Sequence, residues 1–141
     1  TYLQGELIHV RVSLQPPSRG KRFHICCSPH NLGALALIRE VQGALGMQAL
    51  VVTDAVDSMD ECERFFVYLN ADTWTHHPEL FAADVQRALD ANVRLLVAHE
   101  YPGLDPLSAR GALPFRDIVS RTPQTLLAKG IYHMIAIALK A

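Results

Sequence analysis

Apolar and polar residues follow two rhythms along this chain. The runs RFHICC (22–27), QALVVT (48–53), FFVYLN (65–70) and VRLLVAHE (93–100) are apolar at most positions and stop at polar residues. A strand with one wet face alternates, so such runs fit strands covered on both faces. Between them lie segments with helical spacing. LGALALIREVQGALG (32–46) repeats apolar residues at Leu32, Leu35, Leu37, Ile38, Val41 and Leu45 and stops at a glycine. PELFAADVQRALDAN (78–92) has Pro78 in its first turn and apolar Leu80, Phe81, Val85, Ala88 and Leu89. Both predict helices, with Ser28 and Asn31 as caps of the first.

The remaining segments are less regular. DAVDSMDECER (54–64) has room for one helical turn at most, which leaves the crossover between the second and third strands short or without a helix. YPGLDPLSARGALP (101–114) is crowded with loop signals, and TPQTLLAKG (122–130) predicts a short capped helix. IYHMIAIAL (131–139) fits strand or helix equally. ELIHVRVSL (6–14) alternates like a half-exposed strand until PPSRGK breaks it, which makes residues 1–20 an extension or linker ahead of a domain spanning 21–141.

Parallel strands need crossovers, so buried runs alternating with helices predict an α/β fold: a parallel sheet layered between helices. Ligands of such sheets collect at the carboxyl ends of the strands. The positions that qualify are Cys27–Ser28, Thr53–Asp54, Asn70 to Trp74 and His99 to Tyr101.

Composition narrows the chemistry. With 141 residues, half of them hydrophobic, the chain can bury one sizeable core. Thirteen basic against fourteen acidic residues give a net charge of −1, which argues against nucleic acid as a partner. No apolar run reaches the roughly 20 residues that span a bilayer, and the start lacks the pattern of a signal peptide. The expectation is a domain not inserted in a membrane, excerpted from a longer polypeptide, in the cytoplasm or on an intracellular face. Cys26, Cys27 and Cys62 cannot all pair and match no zinc spacing, which points to structural thiols in a reducing compartment.

No dinucleotide, P-loop or nucleophile-elbow motif occurs. A phospho-receiver needs acids after the first strand and an Asp ending the third; Cys27, Ser28 and Asn70 stand there instead. His76 and His77 lack a third ligand and read as an exposed loop, and Asp54, Asp57, Asp60, Glu61 and Glu63 read as a solvated connection rather than a calcium loop, so no metal is expected. His99–Glu100 ends a buried strand, where pairing with the following loop is favoured over acid/base work. Trp74 reads as packing under the helix that starts near Pro78, with a flat ligand as the functional alternative.

LNADTW (69–74), FAADVQRAL (81–89) and ANVRLLVAHE (91–100), in this order, resemble the third strand, following helix and fourth strand of Toll/interleukin-1 receptor (TIR) domains. RFHICCSPHN (22–31) resembles their first strand, and PFRDIVSRTPQTLLAKGIYHMIAIAL (114–139) the tail of a divergent TIR-like group. The likeness covers about residues 22–138. It implies a flavodoxin-like sheet of about five parallel strands, and either self-association in signalling assemblies or, as in some members, cleavage of NAD at the nicotinamide bond. The catalytic Glu of the enzymatic members falls on Asp84, one methylene shorter, with Ser28, Asn70 and Trp74 around the ligand. Shortness of the 54–64 segment also departs from the family, whose assembly loop and following helix occupy this place. The functions rank as a non-catalytic interaction module binding a protein or its own copies, then a structural spacer, then an NAD glycohydrolase using Asp84. NAD enters only as the substrate of the last.

Overall fold

The computed structural model describes residues 15–46, 49–101, 112–133 and 137–140. In chain order they form β1 (Phe23–Cys27), α1 (Ala34–Leu45), β2 (Val52–Thr53), a 3-10 helix (Val56–Glu61), β3 (Cys62–Leu69), α2 (Pro78–Asp90), β4 (Arg94–Tyr101), α3 (Phe115–Arg121), α4 (Gln124–Ala128) and β5 (Ile137–Lys140). All strand pairings are parallel, in the order β2-β1-β3-β4-β5. The molecule is thus α/β with a parallel sheet and helices, compatible with a flavodoxin-like fold. The half-exposed strand expected over 6–14 lies outside the described residues.

The path from β1 to β2 steps one way across the sheet, and the path from β3 to β4 steps the other. Right-handed crossovers therefore put α1 and α2 on opposite faces. On one face Ala34, Leu37, Ile38 and Leu45 of α1 pack on Ile25, Cys27, Phe66, Tyr68 and Ala98. On the other, Phe81, Val85 and Ala88 of α2 pack on Phe65, Val67, Leu69, Leu95 and Val97, joined by Ile118 of α3 and Leu126 of α4. Adjacent residues of β3 thus serve opposite cores, which is why that run shows no alternation.

Several local expectations need correction. The 54–64 segment forms a six-residue 3-10 helix with non-helical geometry at Ser58, more than the single turn expected. Tighter 3-10 winding, with a break at Ser58 between two short turns, accounts for the difference. Ser28 and Asn31 do not cap α1: its N-cap is Gly33, with no side-chain cap bond. The 115–121 helix was not marked by spacing, since seven residues with Ile118 alone buried carry too little periodicity. Part of the ambiguous last segment, 137–140, pairs with β4 as a strand.

The three cysteines are free and buried. The contact with Cys62, and then burial, push the Cys26 thiol well above its ordinary range, while burial pushes Cys27 up to about 12. Thiols held protonated in this way are inert packing groups.

Candidate functional site

The chain changes its direction of travel across the sheet between β1 and β3. Loops leaving these two strands diverge to opposite faces and part at their carboxyl ends, the position at which open α/β sheets accept ligands. The residues there are 28–33 after β1 and 70–77 after β3, flanked by α1 and α2.

Asp84 enters this edge from α2. Its position in the 81, 84, 85, 88 series places it on the buried stripe of the helix, where it is only 7% exposed. Ser28 Oγ donates to Asp84 Oδ2 at 2.5 Å, and the same Oγ accepts the His30 backbone N–H at 3.0 Å. A hydroxyl has one proton to give, so Asp84 takes the whole donor capacity of Ser28. Ser28 is itself 1% exposed. The pair ties the end of β1 to α2 beneath the surface.

Asn31 does for the loop what a strand would do. Its Nδ2 donates to Tyr68 O at 2.9 Å while its Oδ1 accepts from Tyr68 N at 2.8 Å, extending the β1–β3 pairing by one side chain. Thr73 Oγ1 donates to the same Tyr68 carbonyl and accepts from Asn70 N, both at 2.8 Å. Asn70 Nδ2 donates to Leu32 O at 3.0 Å and its Oδ1 accepts from Asp72 N at 2.8 Å. Among the described residues no buried side-chain nitrogen or oxygen lacks a partner.

Trp74 points away from this network, into the α2 face. Its ring centroid lies 5.1 Å from that of Phe81, and Nε1 donates to Tyr132 Oη at 3.1 Å. Tyr132 Oη also lies 2.8 Å from Thr122 Oγ1, and burial raises its pKa. The expectation of packing holds for Trp74. His99 Nε2 sits 2.6 Å from Leu113 O, in the segment after β4, and the buried Glu100 accepts from Tyr68 Oη at 2.6 Å. These residues are joined to the protein itself.

Of the four residues brought forward by the sequence, Ser28 and Asp84 meet, Asn70 stands on the opposite side of the crevice, and Trp74 lies under α2. Asn70 is also the one that borders a cleft of about 250 Å³ on the α1 side, with Leu32, Gly33, Ala36, Leu37, Glu40, Tyr68 and Asp72. Ser28, Asp84 and Trp74 do not line it. Gly33 lines it with φ 86°, and a Cβ there would stand 3.0 Å from Tyr68 Cε2, so both conformation and space call for glycine. Asp72 falls in the Asn70–Trp74 stretch put forward by the sequence, whereas Gly33, Tyr68 and Glu40 were not singled out. A glycine at the start of a helical pattern was the available signal for Gly33.

The rim of the edge is mixed. Leu32 and Leu80 are 45% and 49% exposed, and the His30 and His77 rings, 6.1 Å apart, bring their two loops together. His76 and His77 are exposed on the turn before α2, with rings 4.4 Å apart. Among the described residues no group of three or more His, Cys, Asp or Glu is placed to hold a metal ion. Two of the acids between β2 and β3 form surface ion pairs, Asp57 with Arg87 at 3.0 Å and Glu61 with Arg22 at 3.2 Å. Among the described residues no helix is long and apolar enough to cross a membrane.

No family model, curated protein or solved structure matches the chain.

Proposed function

We propose that this chain is a TIR-like protein-interaction module, built on a flavodoxin-like five-stranded sheet and working inside the cell. The observation that carries the reading is the division of labour at the carboxyl edge. Ser28 gives its hydrogen bond to Asp84, Asn31 and Thr73 give theirs to the Tyr68 carbonyl of β3, and Asn70 gives its own to the loop after β1. Leu32 and Leu80 are turned outward on the rim of the same edge. Polar groups that lock one another build a rigid platform, and exposed apolar side chains on such a platform gain by being covered. Association with another copy of the chain is the form of this reading most open to direct test.

Sedimentation velocity across a wide concentration range tests it, with Leu32→Asp and Leu80→Asp as variants. Concentration-dependent association that either variant abolishes supports the module. A monomer throughout, with no difference in the variants, favours a spacer. The same preparation is assayed for nicotinamide release from NAD with Asp84→Ala as control. Release that depends on Asp84 would transfer the function to an NAD glycohydrolase, for which the inward position of this carboxylate at the ligand edge of the sheet is the favouring observation.

A further inference from the structure

Strand β2 is two residues long and pairs with β1 only at Ile25–Val52 and Cys26–Thr53. A side chain lengthens this hold at its amino end. The His24 backbone N–H donates to Val51 O at 2.9 Å, and His24 Nδ1 accepts the Val51 N–H at 3.0 Å. Ring Nε2 lies 2.6 Å from Gln15 O, and a carbonyl oxygen can only accept. The two bonds together fix the ring: Nδ1 is bare, Nε2 carries the proton, and the imidazole is neutral. One side chain, 6% exposed, thus fastens both β2 and the entry segment that begins at Gln15 to β1.

A second proton would enter at Nδ1, the atom that holds Val51. Two N–H groups would then face each other, and a charge would stand in a buried position. The surrounding charges do not replace the lost acceptor. Glu63 stands across from His24 on β3, between the register pairs Phe23–Cys62 and Ile25–Arg64. Its Oε1 accepts from the Ser18 amide and hydroxyl, and these bonds hold its carboxyl below the usual range. Its negative charge favours a protonated ring, but from the side of β1 opposite Val51. Arg64 and Arg19 are exposed, Lys21 Nζ donates to Asp60 O, and Arg22 pairs with Glu61. On the 3-10 helix Asp57 pairs with Arg87; β2 itself brings no charge, and Asp54 follows its far end.

We infer that His24 is a pH-operated latch on the edge of the sheet: neutral, it fastens β2 to β1; protonated at Nδ1, it lets β2 go while β3 and β4 stay closed. Release leaves β1 as the edge, with backbone groups that a further strand can pair. This inference goes beyond the interaction-module reading and does not depend on it.

NMR of the isotopically labelled protein tests it at about pH 7.5 and about pH 5.5, on either side of the ordinary imidazole value of about 6.5. At the higher pH the ring nitrogen shifts of His24 should show a bare Nδ1 and a protonated Nε2. Amide protection factors, corrected for the intrinsic pH dependence of exchange, should fall about 10-fold at Val51 on going to the lower pH, the size expected for a buried donor that loses its acceptor. Those of Val67 and Val97, in the core of β3 and β4, should stay level. His24→Asn puts at the place of Nδ1 an oxygen that accepts the Val51 N–H and takes up no proton in this range, so its Val51 protection should be the same at both pH values. A protonated Nδ1 at the higher pH, an unchanged Val51 protection in the wild type, or an equal fall at Val67 and Val97 overturns the latch. A fall at Val51 that survives in His24→Asn overturns it too, because the sensing group is then another. Where His24→Asn does not fold, the ring shifts and the Val51 response of the wild type decide.

Discussion

The two sides of the carboxyl edge are built from the same kinds of residue and finish differently. On the α2 side, Asp84 and Ser28 are buried and bonded to each other, and Phe81 and Trp74 pack on one another in the core of the same face. On the α1 side, Asp72 and Glu40 stand at the mouth of a cleft over Tyr68 and Leu37. The separating factor is where each acid sits in its element. Asp84 falls on the inward stripe of a helix and must find a partner; Asp72 falls in a turn whose backbone already uses its neighbours. A carboxylate at a ligand-binding edge is therefore no guide to function until its burial and partners are known.

The most damaging way to break the sealed side is to hollow it. Phe81 is fully buried, 5.1 Å from the Trp74 ring and 6.2 Å from Phe65. Phe81→Ala should cost about 3–5 kcal/mol in urea unfolding, since the sheet cannot collapse into the void. Next comes Asp84→Ala, which strands the Ser28 hydroxyl and should cost about 1–3 kcal/mol. Ser28→Ala added to Asp84→Ala should then cost less than either change alone, because the orphaned donor is gone. Strict additivity in the double-mutant cycle would show that the 2.5 Å bond contributes nothing and that the sealed side is held by packing alone.

How far the sequence revealed this division depends on the residue. Continuous apolar runs located β1, β3 and β4 because a strand buried on both faces leaves a signal in composition. The inward position of Asp84 was present in the spacing as well, since it lies three residues beyond Phe81 and one before Val85. Ser28 and Asn31 were misread as helix caps because a local rule assigns them to the nearest helix. Their actual partners, Asp84 and Tyr68, lie 56 and 37 residues away. Of the cleft only the Asn70–Trp74 border was legible: its lining comes from α1 with the loop before it and from β3 with the loop after it, and nothing in either segment alone shows an opening between them.

Below the cleft the α1 side is as closed as its counterpart, and alkaline pH should reveal it. Burial lifts Cys27 from an ordinary 9.0 to about 12. The folded protein then keeps a proton that the unfolded chain releases, so this contribution is complete below about pH 9 and disappears as pH rises toward 12. Relative to Cys27→Ala, the wild type should lose about 1.4 kcal/mol between pH 8 and pH 10 in urea unfolding, one unit above the ordinary value. Parallel pH profiles for the two proteins would mean that water reaches Cys27. Trp74→Phe is milder: it keeps most of the ring contact and deletes the bond to Tyr132, for an expected loss of about 0.5–1.5 kcal/mol in thermal unfolding.

The smallest expected effect separates the two sides most cleanly. Ala36 lies on the exposed flank of α1 and lines the cleft, so leucine there adds a good helix former without touching the buried stripe of Ala34, Leu37 and Ile38. Stability should change by no more than about 0.5 kcal/mol, the usual range for a surface position. A substitution that leaves unfolding unchanged while closing the cleft would mark this space as one the fold does not need. The opposite result carries equal weight. If filling it stabilises the protein by 1 kcal/mol or more, on the scale of filling a void of methyl size, the cleft is a packing defect, and the open side differs from the sealed one only in being less well packed.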